Sequence, residues 1–442
     1  NLVSDPIGYT LVDAHIMLGD EVTSIDPYYT GLATKYATLF RYEDVVFLPD
    51  QDSKEITVMM QRLYQYNAVA TGVMDATGGT LQQKQAIYAE ARANWAWITF
   101  YLVNMFAKPY NAATAATDPG YPIVRDADVT ETHFDRGTVQ QVYDTMVNDL
   151  KSAIPLLPIA QFTRARMCRA AAETLLGKVY LFMGKYPEAL TQLNAAFADL
   201  PGTNTAIPMA LMDLNVMLAT GGPWGYNPAT TPGGLLSAYT ARLSNTETLL
   251  ARGATNNYSY QFSDFLCNAQ TYALFGSSDM RLRFFSRKPY LGSDFTVPGV
   301  YRRIAPGPTS ANLGLHLMEL YLMRAECRAR TNDLAGAKAD LEALRIKRMP
   351  AADAVVPAGL TQLQMIQFVI DERRREFAME GLRWFDMRRL SVDPLFSSNV
   401  YTHTYWTATG AVGGTFTLRP ERFTLQLPQK VIDQNPGMQN NP

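Results

Sequence analysis

The sequence predicts a mostly α-helical protein: tetratricopeptide-like helical repeats packed against a long irregular insertion with minor β structure. Three observations carry this reading. Two copies of one helix-pair pattern occur, with the same spacing from Gly177 to Ala189 as from Ala325 to Ala337. Apolar residues recur at helical spacing on either side of them. Between the copies the periodicity stops, and Gly, Pro, Asn, Thr and Tyr take over from about 201 to 312.

Taken in order, residues 54–76 place Ile56, Met60, Leu63, Tyr64 and Ala68 at helical spacing. Residues 82–106 form a long aromatic helix with Tyr88, Ala91, Trp95, Ile98, Leu102 and Phe106 on one face. Residues 138–153, with Val139, Val142, Tyr143, Met146 and Leu150, pair with it across a loop at 107–137. The first repeat has Glu173 where the tetratricopeptide pattern has Trp, then Leu176-Gly177, Tyr180, Ala189, Leu193 and Pro201. The second runs from Tyr321 to Pro350, with Tyr321 at the Trp position and Ala325 at the Gly position. Small residues at these places let two antiparallel helices approach. Gly184-Lys185-Tyr186-Pro187 and Thr331-Asn332-Asp333 are the turns. Residues 361–390 give a charged helix and then an aromatic one. After 391 the chain reads as a strand from Asn399 to Trp406, a Gly turn at 410–414 and a strand from Thr415 to Leu418. The organisation expected is a single domain over 1–442. Its scaffold spans 54–200 and 313–390, its loop-rich insertion 201–312, and its β and loop tail 391–442.

Composition narrows the function. The 442 residues carry 39 Lys+Arg against 41 Asp+Glu, a net charge of −2. No basic excess exists to neutralise phosphates, so a dedicated nucleic-acid binder is excluded. Charged residues are 18% of the chain, below the usual ~25%, while Tyr numbers 24. Such a protein has surface suited to stacking or to interfaces. The three cysteines, Cys168, Cys267 and Cys327, form no C-x-x-C pair and read as buried small hydrophobes. His15, His133, His316 and His403 lack metal-ligand spacing. No P-loop, Gly-x-Gly-x-x-Gly or Gly-x-Ser-x-Gly segment occurs, so neither metal nor cofactor is expected. The apolar stretch Trp97 to Ala107, broken by Thr99 and Asn104, is too short to cross a bilayer. The first residue is Asn1 rather than Met, and removal of a leader is expected.

Two groups of residues invite a functional reading. On the charged helix, Glu372, Glu376 and Glu380 recur on one face, as an acid–base pair would need. The plainer alternative is a structural ion network, with Asp371 bound to Arg375 and Glu380 to Arg383. The plainer reading is preferred, because isolated carboxylates on a helix seldom make a catalytic pair and Arg-rich helices in a repeat scaffold lock neighbours together. In the irregular segment, Trp224, Tyr226, Tyr239, Tyr258, Tyr260, Tyr272, Tyr290 and Tyr301 lie among Arg281, Arg283, Arg302 and Arg303. A ring covers the apolar face of a sugar, while Arg, Asn and Asp bond its hydroxyl rim. A peptide would use the same groups. The alternative is that these rings pack the segment onto the helices. The residues expected to touch ligand are Trp224, Tyr226, Tyr258, Tyr260, Tyr290 and Tyr301 as stacking rings, and Arg303 as a clamp.

Several motifs together resemble a known family. The charged helix reads Asp371-Glu-Arg-Arg-Arg-Glu-Phe-Ala-Met-Glu-Gly-Leu-Arg-Trp-Phe-Asp-Met-Arg-Arg389. Leu317-Met-Glu-Leu-Tyr-Leu-Met-Arg-Ala-Glu326 lies upstream. Leu427-Pro428-Gln429 and Asn435-Pro436-Gly437-Met438-Gln439-Asn440 close the chain. In this order they resemble the SusD/RagB family of outer-membrane nutrient-binding lipoproteins, over essentially the whole chain. The tail departs from the family pattern: Val431-Ile432 stands where the family often keeps Glu-Ile or Glu-Leu, and the second Pro of its Leu-Pro-Ile-Pro segment is absent. The resemblance implies a surface-exposed lipoprotein of the outer membrane, held by an N-terminal lipid anchor that lies outside this sequence. It implies that the repeats face a SusC-like TonB-dependent transporter while the loops receive an oligosaccharide, with no bond broken. The alternatives are peptide capture, as in the RagB branch, a cytoplasmic tetratricopeptide adaptor, and an α-helical glycoside hydrolase.

Overall fold

The computed structural model describes residues 13–203, 206–224, 245–255, 263–289, 292–304 and 310–442. Nine helices of ten residues or more occur among them. They are α1 (Lys54–Gly72), α2 (Leu81–Phe106), α3 (Val139–Ala153), α4 (Arg169–Phe182), α5 (Tyr186–Thr203), α6 (Leu317–Arg330), α7 (Leu334–Arg345), α8 (Gln362–Glu376) and α9 (Leu382–Ser391). Starts are set by local chemistry. Thr80 with Gln83, Thr138 with Gln141 and Thr361 with Gln364 form reciprocal capping boxes at α2, α3 and α8. Ser53 caps α1, and Asp333 caps α7.

The repeat pairs pack as their small residues require. A Cβ on Gly177 of α4 would lie 2.7 Å from the Leu193 side chain of α5, so only Gly lets these helices close. Ala325 of α6 is fully buried, and Arg324 grips Asp340 of α7 with bonds of 2.9 and 2.5 Å. The two pairs meet where the Tyr321 ring stands edge-on to Phe197, 4.8 Å away. From Ala89 to Phe106, α2 is buried all round except at Arg92, not along one face as its apolar spacing predicts. It is the central helix, packed by α1 on one side and α3 on the other.

The carboxylates of α8 form an ion network, but not with the neighbours predicted. Arg375 binds Glu372 at 2.7 Å, and Asp371 only approaches Arg374, at 3.9 Å. The helix ends at Glu376, and Met379 and Gly381 take positive φ, so Glu380 leaves that face. Glu380 binds Arg303 instead, and Arg383 binds Asp20 at 2.6 Å. Gly381 is needed twice over: its φ is +87°, and a Cβ there would lie 2.4 Å from the His15 ring. Arg281 and Arg348, both buried, tie Glu247, Asp279, Glu372 and Glu376 together at 2.7–2.8 Å. Burial alone would raise the Glu376 carboxyl; Arg348 and Arg281 outweigh it and hold it below its usual range. These bonds fasten the irregular segment to α8.

Strands β1 (Val22–Ile25), β2 (Leu266–Cys267), β3 (Phe285–Ser286), β4 (Arg302–Arg303), β5 (Thr402–Trp406) and β6 (Val412–Thr417) position the candidate site. The hairpin β5–β6 falls where a strand pair is predicted, but β5 starts only at Thr402 and β6 already at Val412, so Gly413 and Gly414 of the predicted turn lie in the strand. One sheet has the order β6-β5-β1-β2. Its β1 runs parallel to β5, pairing Ile25 with Trp406, and antiparallel to β2, pairing Val22 with Cys267. Three distant stretches of sequence thus share one sheet. β3 and β4 form a separate antiparallel pair beside it.

Candidate functional site

The sheet carries a small aromatic ledge. Ile25, Leu266, Phe295, Val297 and Val300 make a buried apolar bed, and Tyr28 and Trp406 pack on it half-buried. Tyr28 stands edge-on to Phe295 with ring centres 6.5 Å apart. Trp406 is held in place by its indole N–H, which donates to Thr23 Oγ1 at 3.1 Å. Its carbonyl accepts from the Asp26 N–H at 2.9 Å, at the turn that delivers Tyr28. On the same hairpin Tyr405 stacks on Tyr29 at 3.9 Å, stiffening the strand. Such rings keep apolar area within reach of water, at the cost of few rotatable bonds.

An acceptor lies beside the rings. Asp264 precedes β2, and its backbone carbonyl accepts from Ser24 Oγ at 2.7 Å. Its carboxylate makes no hydrogen bond or ion pair with any described residue, and burial raises it to about 6. Burial and then the Asp264 charge raise the Tyr28 phenol, while Arg302 lowers it. Ring faces with one uncommitted carboxylate suit a ligand that has both an apolar face and hydroxyl donors.

The structure places the seven residues predicted to bind ligand in three ways. Tyr226, Tyr258, Tyr260 and Tyr290 lie outside the described residues. Trp224 and Arg303 are packed inside the fold rather than displayed. Trp224 is 4% exposed, with its ring 6.4 Å from Phe284, because the turn after Met217 folds it inward. Arg303 is 2% exposed; its guanidinium donates to Glu380 and to the Ala378 carbonyl where α8 ends. Tyr301 is half-buried and stacked on Tyr272 with ring centres 3.4 Å apart, at the outer edge of β2. The neighbouring arginines also turn inward. Arg283 donates to the Leu218 carbonyl, and Arg302 to that of Lys288 at 3.1 Å.

The cysteines and His15 are enclosed. The three cysteines are free and buried, and burial pushes their thiols up. Among the described residues no cluster of three metal-ligating side chains occurs. His15, buried near α9, is lowered to about 3 by burial and stays neutral. Among these residues no helix is long and apolar enough to cross a membrane.

The ledge residues themselves are missed by sequence reasoning. Trp406 sits in a strand that alternation reveals, but its partner strand holds Ile25, near the other end of the chain. Tyr28 follows Asp26-Pro27, a turn signal that could have marked it.

Comparisons with known proteins agree with the geometry of the fold. Residues 309–442 match the model of the SusD family. Residues 34–181 match a model described as starch-binding, associating with the outer membrane. Together the two matches cover well over half of the chain. No curated protein sequence matches it. Among solved structures, a SusD superfamily protein from Bacteroides thetaiotaomicron superposes with a TM-score of 0.73 at 18% identity, over 99% of this chain and 95% of that one. Surface glycan-binding protein A from Bacteroides uniformis gives 0.70 at 16%, over 99% and 96%. A laminarin-binding SusD-like protein gives 0.65 at 16%, over 100% and 97%. At these identities the likeness is one of fold.

Proposed function

The chain belongs to the SusD family, and from that premise we propose that it captures an oligosaccharide at the outer surface of the cell and passes it on unaltered. The single observation that carries the reading is the ledge: Tyr28 and Trp406 on a preformed apolar bed, beside the uncommitted Asp264 carboxylate. The rings cover the C–H face of a sugar while the carboxylate accepts from its hydroxyls. A shallow site of this kind holds its cargo reversibly, as a handover requires. The recipient is a SusC-like TonB-dependent transporter, and the attachment a lipid on a residue upstream of this sequence. The names of the matched family and of its glycan-binding and laminarin-binding neighbours support the substrate class. The predicted rings Tyr226, Tyr258, Tyr260 and Tyr290 remain proposed contacts, together with the exposed part of Tyr301. Trp224 and Arg303 act from beneath, Trp224 by packing on Phe284 within the irregular segment and Arg303 by binding it to the loop that ends α8.

The test is titration calorimetry against a panel of neutral hexasaccharides and a panel of tripeptides. Saccharide binding that disappears in a Tyr28→Ala, Trp406→Ala double variant is expected. Peptide binding with no saccharide binding would replace this reading with the RagB-type one. Co-purification with a barrel transporter from native membranes tests the handover.

A further inference from the structure

A cleft of about 640 Å³ opens at the other end of the β5–β6 hairpin. Trp406 closes β5 opposite Val412, whereas Thr402 opens it opposite Thr417. The cleft lies beyond that opening pair, lined by Asn399 and Val400 before β5 and by Thr417 and Leu418 at the end of β6. Four residue steps along a strand separate the two ends, about 13 Å at ~3.3 Å per residue. The volume lies within the ~300–1,000 Å³ of small-ligand sites.

The lining fits one chemistry. Phe423, Leu418 and three prolines give an apolar wall. Ser397, Ser398 and Thr417 line the cleft, and their hydroxyls make no hydrogen bond with any described residue. Lys108 holds Asp118 at 2.7 Å and has two further N–H donors to offer. Glu421 adds a second carboxylate, so the formal charges of the lining do not favour an anion. An apolar wall with many neutral donors and acceptors matches a neutral sugar unit, whose C–H face and hydroxyl rim are both to be satisfied.

We propose that this cleft is a second saccharide site, which holds a neutral unit of the same chain that lies on the ledge. The inference rests on the reading of the ledge and deepens it, because two sites across one rigid hairpin select for length. A chain long enough to reach both gains by effective concentration, whereas a disaccharide engages one site at a time.

The experiment soaks crystals of the protein with maltohexaose, cellohexaose or laminarihexaose, and with trigalacturonate and trialanine as controls. It then measures affinities in solution for wild type and Ser398→Trp, a change at an exposed residue that fills the cleft. Density for a neutral sugar in the cleft is expected, with Ser398→Trp weakening the hexasaccharide about ten-fold or more and maltose, cellobiose or laminaribiose less than two-fold. Density on the ledge alone, with the variant unchanged, overturns the second site and leaves the ledge reading standing. Sugar in the cleft but never on the ledge supports the cleft and overturns the ledge reading instead. Trigalacturonate or trialanine in preference to the neutral sugars overturns the assignment of ligand class. No density at either place with any hexasaccharide overturns both.

Discussion

The ion network under α8 and the ledge on the sheet use the same residue types to opposite ends. Under α8, Glu372 and Glu376 are fully enclosed, and each oxygen is aimed at an arginine: Arg281, Arg345, Arg348 or Arg375. On the ledge, Asp264 stands half-buried, and its carboxylate pairs with no cation among the described residues. The aromatic rings divide likewise. Trp224 lies against Phe284 inside the fold, while Trp406 is fixed by one hydrogen bond and keeps part of its ring in water. The lesson is that residue type and local crowding do not mark a site. Commitment does: a group whose partners are all inside the protein builds the fold, and one left over is free to meet a ligand.

The largest effect expected is at Glu376. Replacing it by Ala takes one carboxylate from two buried guanidiniums, leaving Arg281 with Asp279 and Glu372 and Arg348 with Glu247, and removal of one partner of a buried ion pair costs about 3–5 kcal/mol. Urea unfolding of Glu376→Ala should show that loss, with saccharide affinity per folded molecule unchanged. The milder Glu376→Gln breaks the comparison if it removes a turnover of oligosaccharide that the wild type displays. A carboxylate held ionised between two arginines is a poor proton donor, so no turnover by either protein is the expected result. The effect next in size is at Trp406. Trp406→Ala should weaken saccharide binding by about 2 kcal/mol, roughly 30-fold in Kd, as anchoring aromatics do. Trp406→Phe should recover most of it. A binding loss no greater than that of a substitution far from the sheet would show that the ring is packing and nothing more.

What the sequence makes legible follows from range. The helices α1 to α9 are written in apolar spacing and in caps three residues long, so their existence and order can be read locally. The β5–β6 hairpin is legible because a Gly turn lies between its strands. The pairing of β1 with β5 is not, because Val22–Ile25 is four residues long and its partner lies near the far end of the chain. The same limit governs the site. Trp224 in Gly221-Gly-Pro-Trp224 reads as a displayed ring, and only the fold of the turn after Met217 sends it inward. Arg303 reads as a clamp for a ligand, but its carboxylate, Glu380, is supplied by the loop that ends α8. Asp264 carries no local mark at all. Its importance comes from the lack of a cation paired with it among the described residues, and no pattern of neighbours in sequence reports that.

The smallest effect is the sharpest, because folding and binding should move in opposite directions at Asp264. Its carboxyl is raised by burial to about 6, against an ordinary value of 3.8. Between these values the folded state binds more protons than the unfolded one, so stability falls as pH rises through the window. The burial penalty is complete above about 6 and relieved below the ordinary carboxylate range. Asp264→Asn removes the charge, so it should melt above wild type at pH 7.5, with the difference closing towards pH 4. The same change exchanges a charged acceptor for a neutral one and should weaken saccharide binding by about 1 kcal/mol at pH 7.5. Wild-type affinity should decline as pH drops through about 6, while the variant stays flat. A group kept for folding would lose stability when neutralised. A rise in melting temperature with a fall in affinity is what a carboxylate left uncommitted for a ligand requires, and parallel changes in both would place Asp264 with the network under α8 instead.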